Sequence, residues 1–403
     1  MTTMSTRALR VLLVEDNPTD ALLLREAVAD VPNTKVLLTH VERLDDALAR
    51  LGAERFDVVL LDLGLPDSRG PETFARAHAQ APEVPIIVLS GLDDEDVAIG
   101  TVHAGAQDYL TKGRVPGDLL VRAMRYAIER KRVQEELRRK NQQMEEELAM
   151  AREFQLAFLP HKYPSFPRGV SPERSRLRFC HCYRPSGSVG GDFFEILALA
   201  DTQAGLFICD VMGHGVRAAL VTAMIRSLVE QLKPFALDPG KFVTEINRAL
   251  TDLLHQTDTT MFASAFYAVM DVGAGLLRYA NAGHPSPIRL RRDSATAEML
   301  TFPPGSSGPV LGLLEDSAYR TAEIALSPGE MVLLYTDGVF EVPNDTDEEY
   351  GQERLVEAVR ARAQVPANQI FDELLDEIRQ YSATKEFADD VCLVAAEFTP
   401  KTQ

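Results

Sequence analysis

From Asp118 to Leu159 the chain contains neither proline nor glycine. The stretch RKRVQEELRRKNQQMEEELAMAREFQLAF within it is built from strong helix formers, so one long helix is expected. A helix of that length cannot bury itself, and the sequence on either side must form separate folded bodies. Pro160, Pro164, Pro167, Gly169 and Pro172 then stop the helix and mark a boundary. The expected organisation is a first domain at 7–125, a helical linker at 126–160 and a second domain at 175–400. Leu137, Asn141, Met144, Leu148, Ala151, Gln155 and Phe158 alternate spacings of four and three. That spacing is a coiled-coil seam, with Asn141 at a position that favours a fixed register and a homodimer. The alternative is a solvated helix packed on its own chain. The basic runs RKR and RRK read as a charged outer face.

The first body alternates short apolar runs, RVLLVED, KVLLTHV, FDVVLLDL, VPIIVLSG and QDYLTK, with helical patterns such as TDALLLREAVAD. Strand and helix in alternation predict an α/β fold, a doubly wound five-stranded parallel sheet. Sites in such sheets gather at the carboxyl ends of the strands. Glu15, Asp16, Asp62, Ser90 and Lys112 fall there. Three carboxylates at neighbouring strand ends repel unless a cation lies among them, and hard oxygen ligands suit Mg²⁺. A carboxylate beside such an ion is a candidate nucleophile toward a phosphoryl donor. Ser90 could then bond the acyl phosphate and Lys112 could pair with its charge.

The second body carries strands LRFCHCYRP, AGLFICDVM, MFASAFYAVMDVG, LLRYANAGH, EMVLLYTDG and DVCLVAAEF, with helical stretches between. Hairpin-length turns such as DVGAG predict mostly antiparallel sheets flanked by helices, an α/β sandwich. Aspartates stand at strand ends or in glycine turns: Asp192 in VGGDFFE, Asp210 in FICDVMGHG, Asp337 in LLYTDGVFE, Asp389 and Asp390 in FADDVCLV. An ionised Asp beside a buried strand is costly unless paired or metal-bound. All-oxygen ligation favours Mg²⁺ or Mn²⁺ over Zn²⁺. Two such ions can activate a water and hold a phosphoryl oxygen. Gly190, Gly191, Gly213 and Gly215 would let the backbone approach that site.

The net charge of −18 argues against sequence-independent binding to nucleic acid. No stretch is apolar enough for a membrane span, and nothing near Met1 reads as a secretory signal. Cys180, Cys182, Cys209 and Cys392 are too few to staple the chain, so a cytoplasmic protein with reduced thiols is expected. Cys180-His181-Cys182 alternates like a strand and lacks the second ligand pair of a zinc site.

In the first body, VEDN, DLGLP, SG and the late lysine resemble the receiver domains of two-component response regulators. The resemblance implies that Asp62 is the phosphoacceptor, served by a sensor histidine kinase or phosphotransfer protein. It implies Mg²⁺ at Asp16, Asp62, the Gly64 carbonyl and, through water, Glu15, with Ser90 and Tyr109 as a switch pair. Gly113 follows Lys112 where many receivers have proline, which puts the cis peptide of that loop in doubt.

In the second body, GGDFF, DVMGHG, NAGHP, YTDGVFE and DDV resemble the metal-dependent type-2C serine/threonine protein phosphatases of the bacterial sporulation and stress-response group. AREFQLAFLP resembles the switch helix that precedes such domains. The likeness implies two Mn²⁺ or Mg²⁺ ions bridged by Asp210, one site completed by Asp192 and the Val211 carbonyl, the other by Asp337 and Asp389. Asp390 is the weaker ligand candidate of its pair. His214 is a possible acid for the leaving group or a turn residue, and Gly191 and Gly213 are possible catalytic or substrate-contacting positions; Asn281 and His284 read as turn formers, with shaping the pocket as the alternative. The sequence offers no evident arginine for clamping a substrate phosphate. GGDFF superficially resembles a diguanylate cyclase signature, but Phe193 stands where an acid is needed.

The implied function is a response regulator whose output is dephosphorylation of phosphoserine or phosphothreonine, with an anti-sigma-factor antagonist as expected substrate. The alternative is a phosphorylation-controlled binding module whose phosphatase-like domain is silent. A DNA-binding output is disfavoured by charge and by the lack of a helix-turn-helix pattern.

Overall fold

A computed structural model describes residues 8–32, 34–90, 101, 105–112, 115–160, 162–256 and 260–400. The chain divides into two compact units, Met1–Glu145 and Glu146–Gln403.

The first unit is a parallel sheet in the order β2-β1-β3-β6-β7. Its strands are β1 (Leu9–Val14), β2 (Val36–Val41), β3 (Val58–Asp62), β6 (Ile86–Ser90) and β7 (Asp108–Thr111). A short hairpin, β4 (Gly64–Leu65) with β5 (Ser68–Arg69), follows β3. Helices Pro18–Ala29, Leu44–Ala53 and Pro71–Gln80 form the crossovers. In β3 every residue is buried because both faces are covered. Leu12, Val14, Val59 and Leu61 pack toward one layer of helices; Val11, Leu13, Val58 and Leu60 pack toward the other.

The long helix spans Gly117–Phe158, 42 residues. Its first turns are core of the first unit, where Leu120, Val121, Met124 and Ala127 are buried. Farther along, Val133, Leu137 and Met144 are exposed.

The second unit stacks two mostly antiparallel sheets between two pairs of helices. One sheet runs β15-β12-β11-β10-β9, with β16 paired to β12. Its strands are β9 (Phe193–Ala198), β10 (Gln203–Val211), β11 (Ala263–Asp271), β12 (Leu276–Ala282), β15 (Ser307–Gly308) and β16 (Ala322–Ala325), with β12 and β15 paired in parallel. The other runs β14-β13-β17-β18-β8 and contains β8 (Leu177–Arg184), β13 (Ile288–Arg291), β14 (Thr296–Met299), β17 (Glu330–Tyr335) and β18 (Val391–Phe398). Alternation sorts the side chains into layers. Leu206 and Ile208 face Val332, Leu334, Val394 and Ala396 between the sheets. Phe207, Cys209 and Val211 pack under helices Val216–Gln231 and Pro239–Leu254. Leu333, Tyr335, Leu393 and Ala395 pack under helices Gly351–Ala361 and Ala367–Tyr381. The expected DVGAG hairpin joins β11 to β12, with Asp271 Oδ1 accepting from Gly273 N and Ala274 N at 2.9 and 3.0 Å.

The four cysteines are free. Cys180-His181-Cys182 lies within β8, as alternation predicted. Among the described residues no helix is long and apolar enough to cross a membrane. The Lys112–Gly113 peptide lies outside the described residues.

Candidate functional site

In the first unit, parallel pairing of β1, β3 and β6 brings their carboxyl ends together. Glu15 follows β1, Asp62 ends β3 and Ser90 ends β6. Ligand oxygens of Glu15, Asp16 and Asp62 all lie within 4.8 Å of one another. Lys112 Nζ reaches in from beyond β7, 2.7 Å from Glu15 and 2.8 Å from Asp62. The Lys112 main chain is tied to β6 by its N–H donating to the Ser90 carbonyl at 2.9 Å. Gly64 N donates to Asp62 Oδ1 at 3.1 Å. Tyr109 lies on β7, paired with Val88 of β6.

Burial raises the Glu15 carboxyl above its usual range, against the hydrogen bond from Lys112 and with the charge of Asp62 adding to the rise. Burial also acts to lower the Lys112 ammonium, but bonds to Asp62 and Glu15 outweigh it and the net shift is upward. The two shifts pull oppositely on one ion pair; the lysine, with two acidic partners, stays charged. Three clustered acids against one lysine leave uncompensated negative charge, and an oxygen-only donor set fits a hard divalent cation.

In the second unit, antiparallel pairing does the same work in both sheets. Asp192 precedes β9 and Asp210 lies near the end of β10, and these antiparallel neighbours pair Phe193 with Cys209. Asp337 follows β17 and Asp389 precedes β18, where Tyr335 pairs with Leu393. The ends of both pairs open on one cleft of about 580 Å³, whose lining includes Asp210, Asp337 and Asp389. Met212, Gly213, Phe262, His284, Val310, Phe340, Glu341 and Gln352 also line it. Asp192 lies behind, 2% exposed.

These carboxylates oppose one another. Burial, then the charge of Asp210, raises Asp192 well above the carboxylate range, with a Thr336 hydrogen bond pulling back. Burial, then Asp337 and Asp389, pushes Asp210 up to about 7. Burial and then Asp389 raise Asp337. No three of them, among the described residues, come as close together as the acids of the first unit. The all-oxygen donors and the mutual repulsion fit divalent cations spread along the cleft.

The two aspartates of FADD are used differently. Asp389 is exposed at the cleft. Asp390 is 3% exposed and accepts from Ser186 N, Ser186 Oγ and Gly191 N at 2.7, 3.0 and 2.6 Å. A Cβ on Gly191 would sit 2.7 Å from the Val211 carbonyl oxygen, so only glycine fits there. Gly213 has φ +82°, the left-handed region. His214 is exposed and is not part of the cleft lining. Asn281 and His284 do close a turn: Asn281 Nδ2 donates to His284 O at 2.9 Å and His284 N donates to Asn281 Oδ1 at 2.7 Å. The buried His284 ring also lines the cleft, and burial depresses its pKa to about 3, so it is neutral there.

Sequence reasoning missed several supporting side chains. Thr336 Oγ1 donates to Asp192 Oδ2 at 2.7 Å, and its place directly before Asp337 was an available signal. Thr222 Oγ1 donates to the Gly191 carbonyl at 2.9 Å, and nothing in the sequence marks it. Gln155, read as a seam position, is buried within its own unit and bonds Gly190. Phe158, also a seam position, lies under the Arg226 guanidinium at 4.5 Å. The last seam positions therefore face the chain's own sheet and helices, not outward.

Residues 11–124 match the response regulator receiver domain family, and residues 200–399 match the family described as Stage II sporulation protein E (SpoIIE). Protein IcfG of Synechocystis sp. (strain ATCC 27184 / PCC 6803 / Kazusa) is 27% identical over 258 residues, covering 58% of this chain and 38% of that protein. Phosphoserine phosphatase RsbP of Bacillus subtilis (strain 168) is 26% identical over 216 residues, covering 53% of this chain and 51% of the relative. The chain thus spans about half or less of these curated relatives' length. The SiaA-PP2C domain of Pseudomonas aeruginosa superposes with a TM-score of 0.54 at 22% identity, covering 64% of this chain and 98% of that one, which shows a shared fold. Residues 11–124 are therefore a response regulator receiver domain, and residues 200–399 a SpoIIE-type domain with the type-2C phosphatase fold.

Proposed function

We propose that the chain is a response regulator whose output is metal-dependent dephosphorylation of phosphoserine or phosphothreonine on a protein. The observation that carries the reading is the opening of Asp210, Asp337 and Asp389 on one cleft, with Asp192 buried behind them. Asp210, which interacts with Asp192 as well as with Asp337 and Asp389, would be shared by the two ions; Asp192 and the Val211 carbonyl would hold one Mn²⁺ or Mg²⁺, and Asp337 and Asp389 would hold the other. The wider spacing of these acids suits a pair of ions. Bound there, the ions would supply an activated water and positive charge for the phosphoryl oxygens. Asp192 is oriented by Thr336, and Met212, Phe262 and Val310 add apolar surface to the cleft lining. The exposed position of His214 favours its turn role over acid catalysis.

In the receiver, Asp62 accepts the phosphoryl group from a sensor histidine kinase or phosphotransfer protein. Asp16, Asp62, the Gly64 carbonyl and, through water, Glu15 would hold Mg²⁺, while Ser90, Tyr109 and Lys112 would respond to the new charge. The boundaries of 7–125, 126–160 and 175–400 separate receiver, linker and phosphatase. The exposed seam positions Leu137, Asn141 and Met144 support a homodimer through the linker. The bonds between Gln155 and Gly190 give that helix a handle on the Asp192 loop. The substrate is an anti-sigma-factor antagonist, by likeness to the stress-response group.

The deciding experiment is hydrolysis of a phosphoserine protein by the full chain with Mn²⁺, before and after acetyl-phosphate treatment. Turnover that needs Mn²⁺ and changes on treatment is expected. Absence of turnover on both protein and aryl phosphate would defeat the reading.

A further inference from the structure

Building on the metal site proposed above, we infer that Asp390 is not a ligand but a positioning residue which, together with Thr222, holds the Gly190–Asp192 loop against the Val211 carbonyl. Each oxygen of Asp390 is committed to a different point of one loop. Oδ1 takes Ser186 N and Oγ at 2.7 and 3.0 Å, and Oδ2 takes Gly191 N at 2.6 Å. The carboxylate is 3% exposed, so these bonds are sheltered from water. From the other side of the loop, Thr222 Oγ1 donates to the Gly191 carbonyl at 2.9 Å. Gly191 is thus fixed at both its N–H and its C=O by side chains from two distant elements.

Close packing leaves this arrangement little room to shift. A Cβ on Gly190 would lie 2.3 Å from Asp390 Oδ2, and one on Gly338 would lie 2.1 Å from the Asp390 carbonyl oxygen. The Asp390 main chain therefore abuts the Asp337-Gly338 turn, while its side chain holds the loop that carries Asp192. One residue ties together the loops bearing ligands of both proposed ions. Groups that orient ligands this way tune metal affinity by about 10–100-fold.

Asp390→Asn is the informative change. Both carboxylate oxygens accept from N–H donors, and an amide offers one acceptor and one donor, so one bond becomes a donor–donor contact. Mn²⁺ binding to the full chain, followed by the paramagnetic resonance of free Mn²⁺, should weaken by about 10–100-fold. Hydrolysis of an aryl phosphate should then be largely recovered by raising Mn²⁺. Unchanged Mn²⁺ affinity overturns the inference. So does a folded variant without hydrolysis at any Mn²⁺ concentration, because that marks a ligand. If Asp390→Asn loses cooperative unfolding, Thr222→Val against Thr222→Ser decides: valine should weaken Mn²⁺ binding and serine should not, and equal affinities overturn the inference. Wild-type protein that binds no Mn²⁺ removes the underlying metal site itself, an outcome distinct from any of these.

Discussion

Gln155 and Gly190 exchange two hydrogen bonds: the amide Nε2 donates to the Gly190 carbonyl at 2.7 Å, and Gly190 N donates back to Oε1 at 3.0 Å. A side chain from the long helix thereby occupies both main-chain groups of the residue two positions before Asp192. The end of this helix is bonded in this way to the loop that leads into Asp192.

Gln155→Ala should leave the Gly190 N–H and C=O without that partner in a buried setting. A stability loss of about 1–3 kcal/mol is expected from such unpaired groups. A higher Mn²⁺ concentration for half-maximal hydrolysis should accompany it. Thermal unfolding and a Mn²⁺ titration measure the two, and unchanged values in both would show that the contact carries no coupling.

Asp210→Asn and Asp337→Asn should each abolish Mn²⁺-dependent hydrolysis of a phosphoserine protein. Removing one of several repelling carboxylates should not destabilise the metal-free fold, so thermal unfolding without metal is expected to hold or rise. Retained turnover in a folded variant would disprove the assigned chemistry.

Asp62→Asn should prevent labelling by acetyl phosphate, since the amide cannot form the acyl phosphate. Basal hydrolysis at the separate phosphatase cleft should persist. Mass spectrometry of treated protein reads the first outcome; persistent labelling would place the acceptor elsewhere.

Asp192, Asp210 and Asp337 all have carboxyls raised in the folded, metal-free state, Asp210 to about 7. The native state then binds more protons than the unfolded chain, so stability falls as pH rises. This contribution is complete below the ordinary carboxylate value near 4 and fades as pH climbs through about 7. Unfolding of the phosphatase domain in chelator should therefore shift to lower temperature from pH 5 to pH 8. Mn²⁺ should oppose the shift, because it binds the deprotonated acids. A metal-free stability that rises over this range would contradict the proposed crowding.

Much of this was legible before any coordinates. Apolar runs ending in acids placed the candidate acids at strand ends, because a strand buried on both faces leaves its polar residues at its ends. β9, which carries FFEILA after Asp192, escaped the strand reading: Glu195 interrupts the run, and pairing with β10 on one side supplies what local pattern lacks. The seam was legible only in part. Leu137 and Met144 are exposed, whereas Gln155 and Phe158 turn to their own unit. Heptad spacing reports which residues share a helix face, not what that face meets.

The sequence alone determined the two-body plan, the sheet types and the acids available for chemistry, since these follow from periodicity, helix breakers and residue type. Tertiary structure decided where each acid sits. Asp389 and Asp390 are neighbours of identical chemistry, yet the bend that leads into β18 sends one to the cleft and buries the other among three donors. That division depends on loops nearly two hundred positions away along the chain, such as Gly191 at a separation of 199, which meet Asp390 only when both sheets are stacked.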